Sequence, residues 1–425
     1  MNAKKNHLVK MNDNINKSAL NSDVIIIGGG AAGFFTAINL AENNPKLKII
    51  ILERGSEVLT KVKVSGGGRC NVTHAEFIPK ELTQNYPRGE KELLGPFHTF
   101  MTGDTVEWFE RRGVPLKMEE DGRMFPESNS SQTIIDCFVK ETERLGLEVL
   151  RNHSVKEIQK ENESWKVETE KGDFISEKLV IATGSNAKIW NLIKDLGHTI
   201  IPPVSSLFTF NIQDNRIKEL PGIATQASVK VISENNKVKL ESEGALLITH
   251  WGLSGPVILK LSAWGARELN NVGYQFKIKV NWLLDASREE TFEKLKYLKE
   301  IYSKQTVNKY AQLEVPKRLW QSLVAASQIV ETQKWAETTN NQLQILAEQL
   351  TQSVFQVNGK STFKEEFVTA GGVDLKEINF KRYESKLHKN LFFAGEVMDI
   401  DAITGGFNFQ NAWTGGFIVA KSISK

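Results

Sequence analysis

A chain of 425 residues has room for two or three domains with sizeable cores, and 40% hydrophobic with 25% charged residues is the balance of an ordinary soluble globular protein. The formal charge of +3, from 54 basic and 51 acidic side chains, lies too near balance to argue for a nucleic-acid partner or an anionic membrane. Two cysteines, Cys70 and Cys137, lack C-x-x-C spacing, so neither a disulfide framework nor a cysteine-based zinc site is indicated, no metal site is expected, and a reducing cytoplasm fits best. Residues 1–22 are polar and Lys/Asn-rich without an apolar h-region, which predicts a disordered leader rather than a signal peptide, with Met11 as an alternative start. No run approaches the roughly 18 apolar residues of a membrane span.

Residues 23–33 read DVIIIGGGAAG, with Gly28, Gly30 and Gly33 on the G-x-G-x-x-G spacing between an apolar run and FFTAINLAE. The order predicts strand, tight turn and helix, and the β-branched, apolar residues 24–27 suit a parallel strand covered on both faces. Gly28 permits the sharp turn, Gly30 lets the backbone approach a pyrophosphate, and Gly33 lets the helix lie close on the strand. The helix N-terminus then offers free N–H groups and partial positive charge to phosphates. A second strand, KIIILE, ends at Glu53, about 20 residues on, the spacing at which an acid reaches ribose hydroxyls.

The next segment, RGSEVLTKVKVSGGGRCNVTH, is a basic and then glycine-rich loop without a period of its own. Its small residues 65–68 expose backbone N–H groups, Lys61, Lys63 and Arg69 bring charge, and Asn71 and Thr73 bring hydrogen bonds. Two helices are expected within residues 90–118, with Gly113 as a stop, followed by an amphipathic helix ending at Gly146 that holds Cys137 among apolar neighbours. Residues 147–182 read as short strands returning to a buried parallel strand, LVIATG. From about Pro202, alternating segments such as SLFTFNIQ, ASVKVISEN, KVKLESEGALLIT and YQFKIKVNWL predict a β domain, within which His250 precedes WGLSGP and an apolar helix. Residues 287–352 turn to helical period. The chain closes on FVTAGGVDL, a buried strand LFFAGEVMD, and DAITGGFNFQNAWTGGFIVAKSI, where a GG-F-N turn precedes a helix.

A helix N-terminus beside a cofactor's reactive ring stabilises negative charge on it. A flavin develops such charge on reduction and a nicotinamide does not, which favours FAD over NAD. A return to the first domain at the C-terminus also suits a long cofactor gripped at both ends.

These residues resemble the BaiN/YhiN-like FAD-dependent oxidoreductases, a group that includes aminoacetone oxidase-type flavoproteins within the glutathione-reductase-like FAD superfamily. The segments that carry the resemblance are DVIIIGGGAAG, LERG, KVKVSGGGRCNVTH, DGRMFPES, LVIATG, THWGLSGP, TAGGV and LFFAGEVMDIDAITGGFNFQNAWTGG, in the family's order over nearly the whole chain after residue 22. The resemblance implies an α/β fold: a discontinuous Rossmann-like FAD-binding domain over 23–195 and 356–425, an inserted β domain over 196–285 and a helical subdomain over 286–355. It places Gly28, Gly30, Ala31, Ala32 and Gly33 at the pyrophosphate, Glu53 and Arg54 at the adenosine, and Val155 at the adenine through its backbone. Ala182, Thr183 and Gly184 are further cofactor contacts. Lys63, Ser65, Gly67, Arg69, Cys70 and Asn71 fall near the flavin ring, and Gly395, Glu396, Asp399, Gly406, Phe407 and Asn408 along the ribityl and pyrimidine end. The chain departs from the family where Ser185 follows Gly184, where Phe407 replaces the usual tyrosine and where Ala402 replaces a common glycine.

On this reading FAD carries the electrons and the protein supplies placement and ring electronics. A small organic substrate, or NAD(P)H docking transiently because no second G-x-G-x-x-G domain is present in the sequence, exchanges hydride with the flavin. Candidate catalytic groups are Arg69, which suits reduced-ring charge or a substrate carboxylate; Cys70, which reads either as a redox thiol or as tight-turn packing; Asn71; and His250, which reads either as acid–base or as structural. Glu396 and Asp399 read as hydrogen-bonding acids, and Ser254 lacks the context of a hydrolase elbow. Two rivals keep the flavin: an RNA-modifying or RNA-associated protein, opposed by the near-neutral charge, and a redox sensor without turnover.

Overall fold

The computed structural model describes residues 19–232, 240–361 and 368–425. Most of the expected leader, and parts of the expected segments ASVKVISEN, KVKLESEGALLIT and FVTAGGVDL, lie outside these residues. The first strand, Leu20–Ile27, begins inside what the sequence reads as leader.

The central sheet runs parallel in the order Glu148–Leu150, Ile49–Leu52, Leu20–Ile27, Asp173–Ile181 and Leu391–Phe393. Its strands are apolar on both faces because both faces are covered, and Val24, Ile25, Ile26, Ile50, Ile51, Leu179, Val180 and Phe392 are wholly inaccessible. Helix Ala31–Asn43 packs against the C-terminal helix Phe407–Ile423 so closely that a Cβ built at Gly416 lies 3.0 Å from Thr36 Oγ1 and 3.2 Å from the Ala32 carbonyl oxygen. An aromatic cluster of Phe35, Trp108, Phe138 and Trp413 seals that layer. The first and last elements of the domain are therefore neighbours, and the intervening chain is an insertion.

The insertion has its own antiparallel sheet and core. Its strand order is Ser353–Asn358, Gln275–Asn281, Ala224–Ile232, Glu241–Thr249, Gly252–Ser254, Thr209–Asn211 and Lys360–Ser361. Ser353–Asn358 pairs with Gln275–Asn281, so the inserted sheet extends past residue 355. The helices Arg288–Ile301, Lys317–Ala326 and Asn340–Thr351 share one apolar core with that sheet through Leu295, Trp320, Leu323, Leu346 and Val280. A two-stranded ribbon of Ile200–Ser206 and Val368–Val373 forms the neck between the two bodies. No helix among the described residues is long and apolar enough to cross a membrane.

Candidate functional site

At the carboxyl end of Leu20–Ile27 the backbone turns at Gly28 into the helix Ala31–Asn43. A Cβ at Gly33 would overlap the Gly28 carbonyl oxygen, whereas a Cβ at Gly30 would meet nothing within 4 Å. Gly33 is therefore glycine for the fold, and Gly30 faces open space at the helix N-terminus. That helix has no side-chain cap and no acid in its first turn, so its positive end is left for an anion at Gly30, Ala31 and Ala32. Glu53 secures the turn: its Oε2 accepts from Gly29 N at 2.8 Å and its Oε1 from Gly55 N at 2.7 Å. Beside it opens a pocket lined by Gly28, Glu53, Arg54, Val155 and Thr183. His153, Ser154, Asn186, Lys188 and Ile189 also line it and were not anticipated. Only Asn186 had a local signal, as the residue whose side chain caps the helix Ala187–Asp195 by accepting from Lys188 N and Ile189 N.

On the other side of the helix N-terminus the C-terminal segment arrives. A Cβ at Gly395 would stand 3.1 Å from Ala32 Cβ, so this turn lies directly on the helix start. Glu396 Oε2 accepts from Lys61 Nζ at 2.5 Å, its Oε1 accepts from Thr369 N at 3.2 Å, and Gly184 lies beside that ion pair. The glycine-rich loop is more ordered than its sequence suggests. Residues from Thr60 form a helical turn that breaks at Ser65, and Gly66 and Gly67 then take left-handed backbone. Gly67 and Gly68 have open space above them. Gly66 rests on Phe125, and the Arg69 guanidinium lies 3.9 Å from the centre of the Phe125 ring while Nη1 donates to Glu119 Oε1 at 2.6 Å. Lys63 points outward, with its Nζ 3.5 Å from Glu57.

Asn71 is buried, and its amide, oriented to satisfy both neighbours, donates to Thr73 O and accepts from Gly406 N, each at 3.0 Å. Gly406 caps the helix Phe407–Ile423, whose first residue packs its ring 4.6 Å from that of His74 and accepts at its carbonyl from Tyr86 Oη at 2.6 Å. Asn408 closes the preceding turn through Ala402, accepting from its N at 3.0 Å and donating to its O at 3.2 Å. Pocket, helix N-terminus and the paired loops at 65–71 and 405–407 thus form one extended strip. The strip fits an elongated dinucleotide such as FAD: a walled pocket for the adenosine, an uncapped helix end with no Cβ at Gly30 for the pyrophosphate, and a second helix start for the reducible ring.

Four candidate residues have contacts or positions that bear on their role. Cys70 is wholly buried at a left-handed turn, and burial pushes its thiol up to about 12 against a lowering hydrogen bond from Ser65, a position that suits tight-turn packing, one of its two sequence readings. His250 is exposed in the turn between Glu241–Thr249 and Gly252–Ser254. The pairing of Asn211 with Gly252 puts that turn at the end of Thr209–Asn211 farther from the neck. Asp399 accepts from Arg267 Nη2 with both carboxylate oxygens at 2.7 Å, which makes it a tie to the inserted domain. Asn71 likewise anchors the last helix by its side chain. Among the described residues no group of three or more His, Cys, Asp or Glu is placed to hold a metal ion.

Comparison with known proteins adds the following. The family model described as HI0933-like protein Rossmann domain matches residues 22–422. The chain is 29% identical over 411 residues to the ribosomal RNA dihydrouridine synthase of Escherichia coli strain K12, covering 94% of this chain and 98% of that one. It is 24% identical over 408 residues to the 3-dehydro-bile acid delta(4,6)-reductase of Clostridium scindens, covering 94% and 98%. Among solved structures, the 3-ketosteroid-delta4-(5alpha)-dehydrogenase of Rhodococcus jostii RHA1 shares the fold with a TM-score of 0.52 at 12% identity, over 97% of this chain and 98% of that one.

Proposed function

The chain belongs to the HI0933-like family of FAD-dependent oxidoreductases, and on that premise we propose that it reduces a carbon–carbon double bond conjugated to a carbonyl, with a uracil ring of ribosomal RNA as its substrate. The observation that carries this reading is the similarity to a ribosomal RNA dihydrouridine synthase along almost the full length of both chains. Dihydrouridine differs from uridine by saturation of the bond next to the C4 carbonyl, and a delta(4,6)-reductase of a 3-dehydro compound also saturates double bonds conjugated to a ketone. The two named activities share one chemistry. The residues of the strip would hold FAD, which in its reduced form would supply the hydride, with NAD(P)H as the proposed source of the electrons.

The protein's own part is to seat the planar ring, to stabilise the oxyanion that develops on the carbonyl, and to deliver a proton. A chain of net charge +3 has no global field for RNA, so recognition rests on local cations around the flavin-side loop, Lys61, Lys63 and Arg69 among them. RNA binding should accordingly weaken with salt along a shallow slope set by a few phosphate contacts. A second reading, reduction of a small free enone, is favoured by the bile-acid relative and by the same near-neutral charge.

The test is incubation of an unmodified ribosomal RNA transcript with the FAD-loaded protein and NADPH, followed by nucleoside mass analysis. The expected product is a nucleoside heavier than uridine by two hydrogens. A transcript left unchanged, with NADPH consumed only when a steroid or other enone is present, selects the second reading. Bound flavin without turnover of either substrate overturns both.

A further inference from the structure

The small antiparallel sheet of Thr73–His74, Arg123–Pro126 and Leu116–Met118 has two different faces. Thr73 pairs with Met124, and both are buried in the core of the FAD-binding domain. By strand alternation the pair His74 and Arg123 project to the opposite face, together with Phe125. That face meets both loops of the ring end: Gly66 and Arg69 lie on Phe125, and the His74 ring packs on Phe407.

His74 is fixed in place. A Cβ at Gly122 would come within 2.6 Å of its Nε2, and one at Gly405 within 3.4 Å of its Nδ1, so the ring is boxed between two glycines and an aromatic face. Arg69 and Arg123 are held beside it by one acid, since Glu119 accepts from Arg69 Nη1 at 2.6 Å and from Arg123 Nη2 at 3.3 Å. Both guanidinium groups stand over Phe125, at 3.9 and 5.4 Å, and their side chains remain 32% and 37% exposed. A half-buried imidazole, with Arg123 on the paired strand and Arg69 sharing the acid that holds Arg123, is the equipment that conjugate reduction asks of a protein.

We propose that His74 is the proton donor of the reaction and that Arg69 and Arg123 bind the substrate carbonyl, an inference that rests on the double-bond reduction proposed above. When hydride adds to the β carbon, one C–H bond forms, the π bond breaks and its electron pair moves to the carbonyl oxygen as an enolate. The guanidinium groups stabilise that oxyanion. His74 then gives its proton to the α carbon, forming the second C–H bond, and the neutral imidazole regains a proton from solvent. The substrate gains two electrons and NAD(P)H, the proposed donor, loses them. Burial lowers the pKa of His74 below the ordinary histidine value and Arg123 adds to this, against the raising effects of the Gly405 backbone, Asp121 and Glu76.

The experiment uses the FAD-loaded full chain and His74→Gln. In the variant, reoxidation of the NADPH-reduced flavin by unmodified ribosomal RNA should slow by about 100-fold or more. The wild-type substrate step should fall as pH rises through the titration of His74, and the variant should lose that limb. Independently of turnover, ¹⁵N-histidine spectra of the wild type, with His74 identified by its loss in the variant, should show that resonance shifting on addition of uridine 5′-monophosphate. Reoxidation of the variant within a few-fold of wild type, or a His74 resonance unmoved by saturating nucleotide, overturns the assignment. A wild type that leaves both RNA and enone unreduced instead fails the double-bond reading itself.

Discussion

Two glycines of one motif carry different burdens, and substitution separates them. At Gly33 the conflict is internal, because a methyl group there overlaps the Gly28 carbonyl oxygen. Gly33→Ala should therefore lower the stability of the cofactor-free protein by about 1–3 kcal/mol, the usual range for forcing extra atoms into a packed site. At Gly30 the protein offers open space, and the backbone at φ −98°, ψ −169° suits any residue. Gly30→Ala should leave cofactor-free stability within about 1 kcal/mol of wild type, because the lost chain freedom of glycine acts in its favour. The same variant should lose FAD, since its methyl group occupies the approach to the helix N-terminus. Denaturant melts of the two apoproteins beside the flavin absorbance of the purified variants check this. A Gly30→Ala protein that retains full flavin would show that the cofactor does not approach that backbone. Cys70 illustrates the limit of reading single residues: the string SGGGRCN admits both a redox thiol and tight-turn packing, and its buried, left-handed position, which suits the second, is a property of the turn around it.

Strands and helices whose side chains repeat with the element's own period were legible, and those held by distant partners were not. The parallel strands were visible because residues 24–27 and 49–52 must be apolar on both faces. The C-terminal helix was visible from its glycine start, but not the side chains that seat it: Gln410 Oε1 accepts from Thr73 Oγ1 at 2.6 Å and Thr105 Oγ1 at 2.9 Å, and Trp413 Nε1 donates to Val72 O. Such pairings join residues some 300 positions apart, and no window of sequence contains them. A second hidden unit is His198 at the neck, with a wholly inaccessible side chain. Its Nδ1 lies 2.8 Å from Glu377 Oε2 and its Nε2 3.0 Å from Ser385 Oγ. Burial lowers its pKa below the ordinary value despite the opposing pull of Glu377. The unfolded chain then binds a proton that the folded chain resists, so this contribution is complete above about pH 6.5 and is lost as pH falls from there through the lower folded value. Unfolding free energy measured by urea titration should decline across that window, and His198→Gln should flatten the decline while lowering stability at neutral pH. An unchanged slope in the variant would place the titration elsewhere.

At the scale of the molecule, an insertion was legible because its composition changes near Pro202 and the glycine-rich pattern returns at the C-terminus. The way the two bodies are joined was not, because beside the neck ribbon it runs through pairings of distant charges, Asp399 with Arg267 and Asp401 with Arg88. Asp401 is fully inaccessible. It accepts from Arg88 Nε at 2.5 Å and from Arg88 Nη2, and from Ser206 Oγ of the neck at 2.8 Å, while Arg88 Nη1 donates to Ala263 O of the insertion at 2.6 Å. One guanidinium thus binds the FAD-side loop to the inserted domain, five residues beyond the Glu396 that faces the cofactor strip. Removing Arg88 leaves a carboxylate buried without its cation, a change that costs about 3–5 kcal/mol where it has been measured in other proteins. Burial already pushes the Asp401 carboxyl up, and Arg88 is the main force holding it down. In Arg88→Leu the folded state should therefore take up a proton that the unfolded state does not, so the deficit should be largest at high pH and shrink as pH falls through the raised pKa of Asp401. The joint also couples the cores: in the wild type, FAD should raise the melting of both bodies in one calorimetric transition, whereas in Arg88→Leu it should raise only that of the FAD-binding body and leave the insertion melting separately. A variant that still melts as one unit with FAD would mean that the neck ribbon, and not this ion pair, transmits the cofactor's stabilisation.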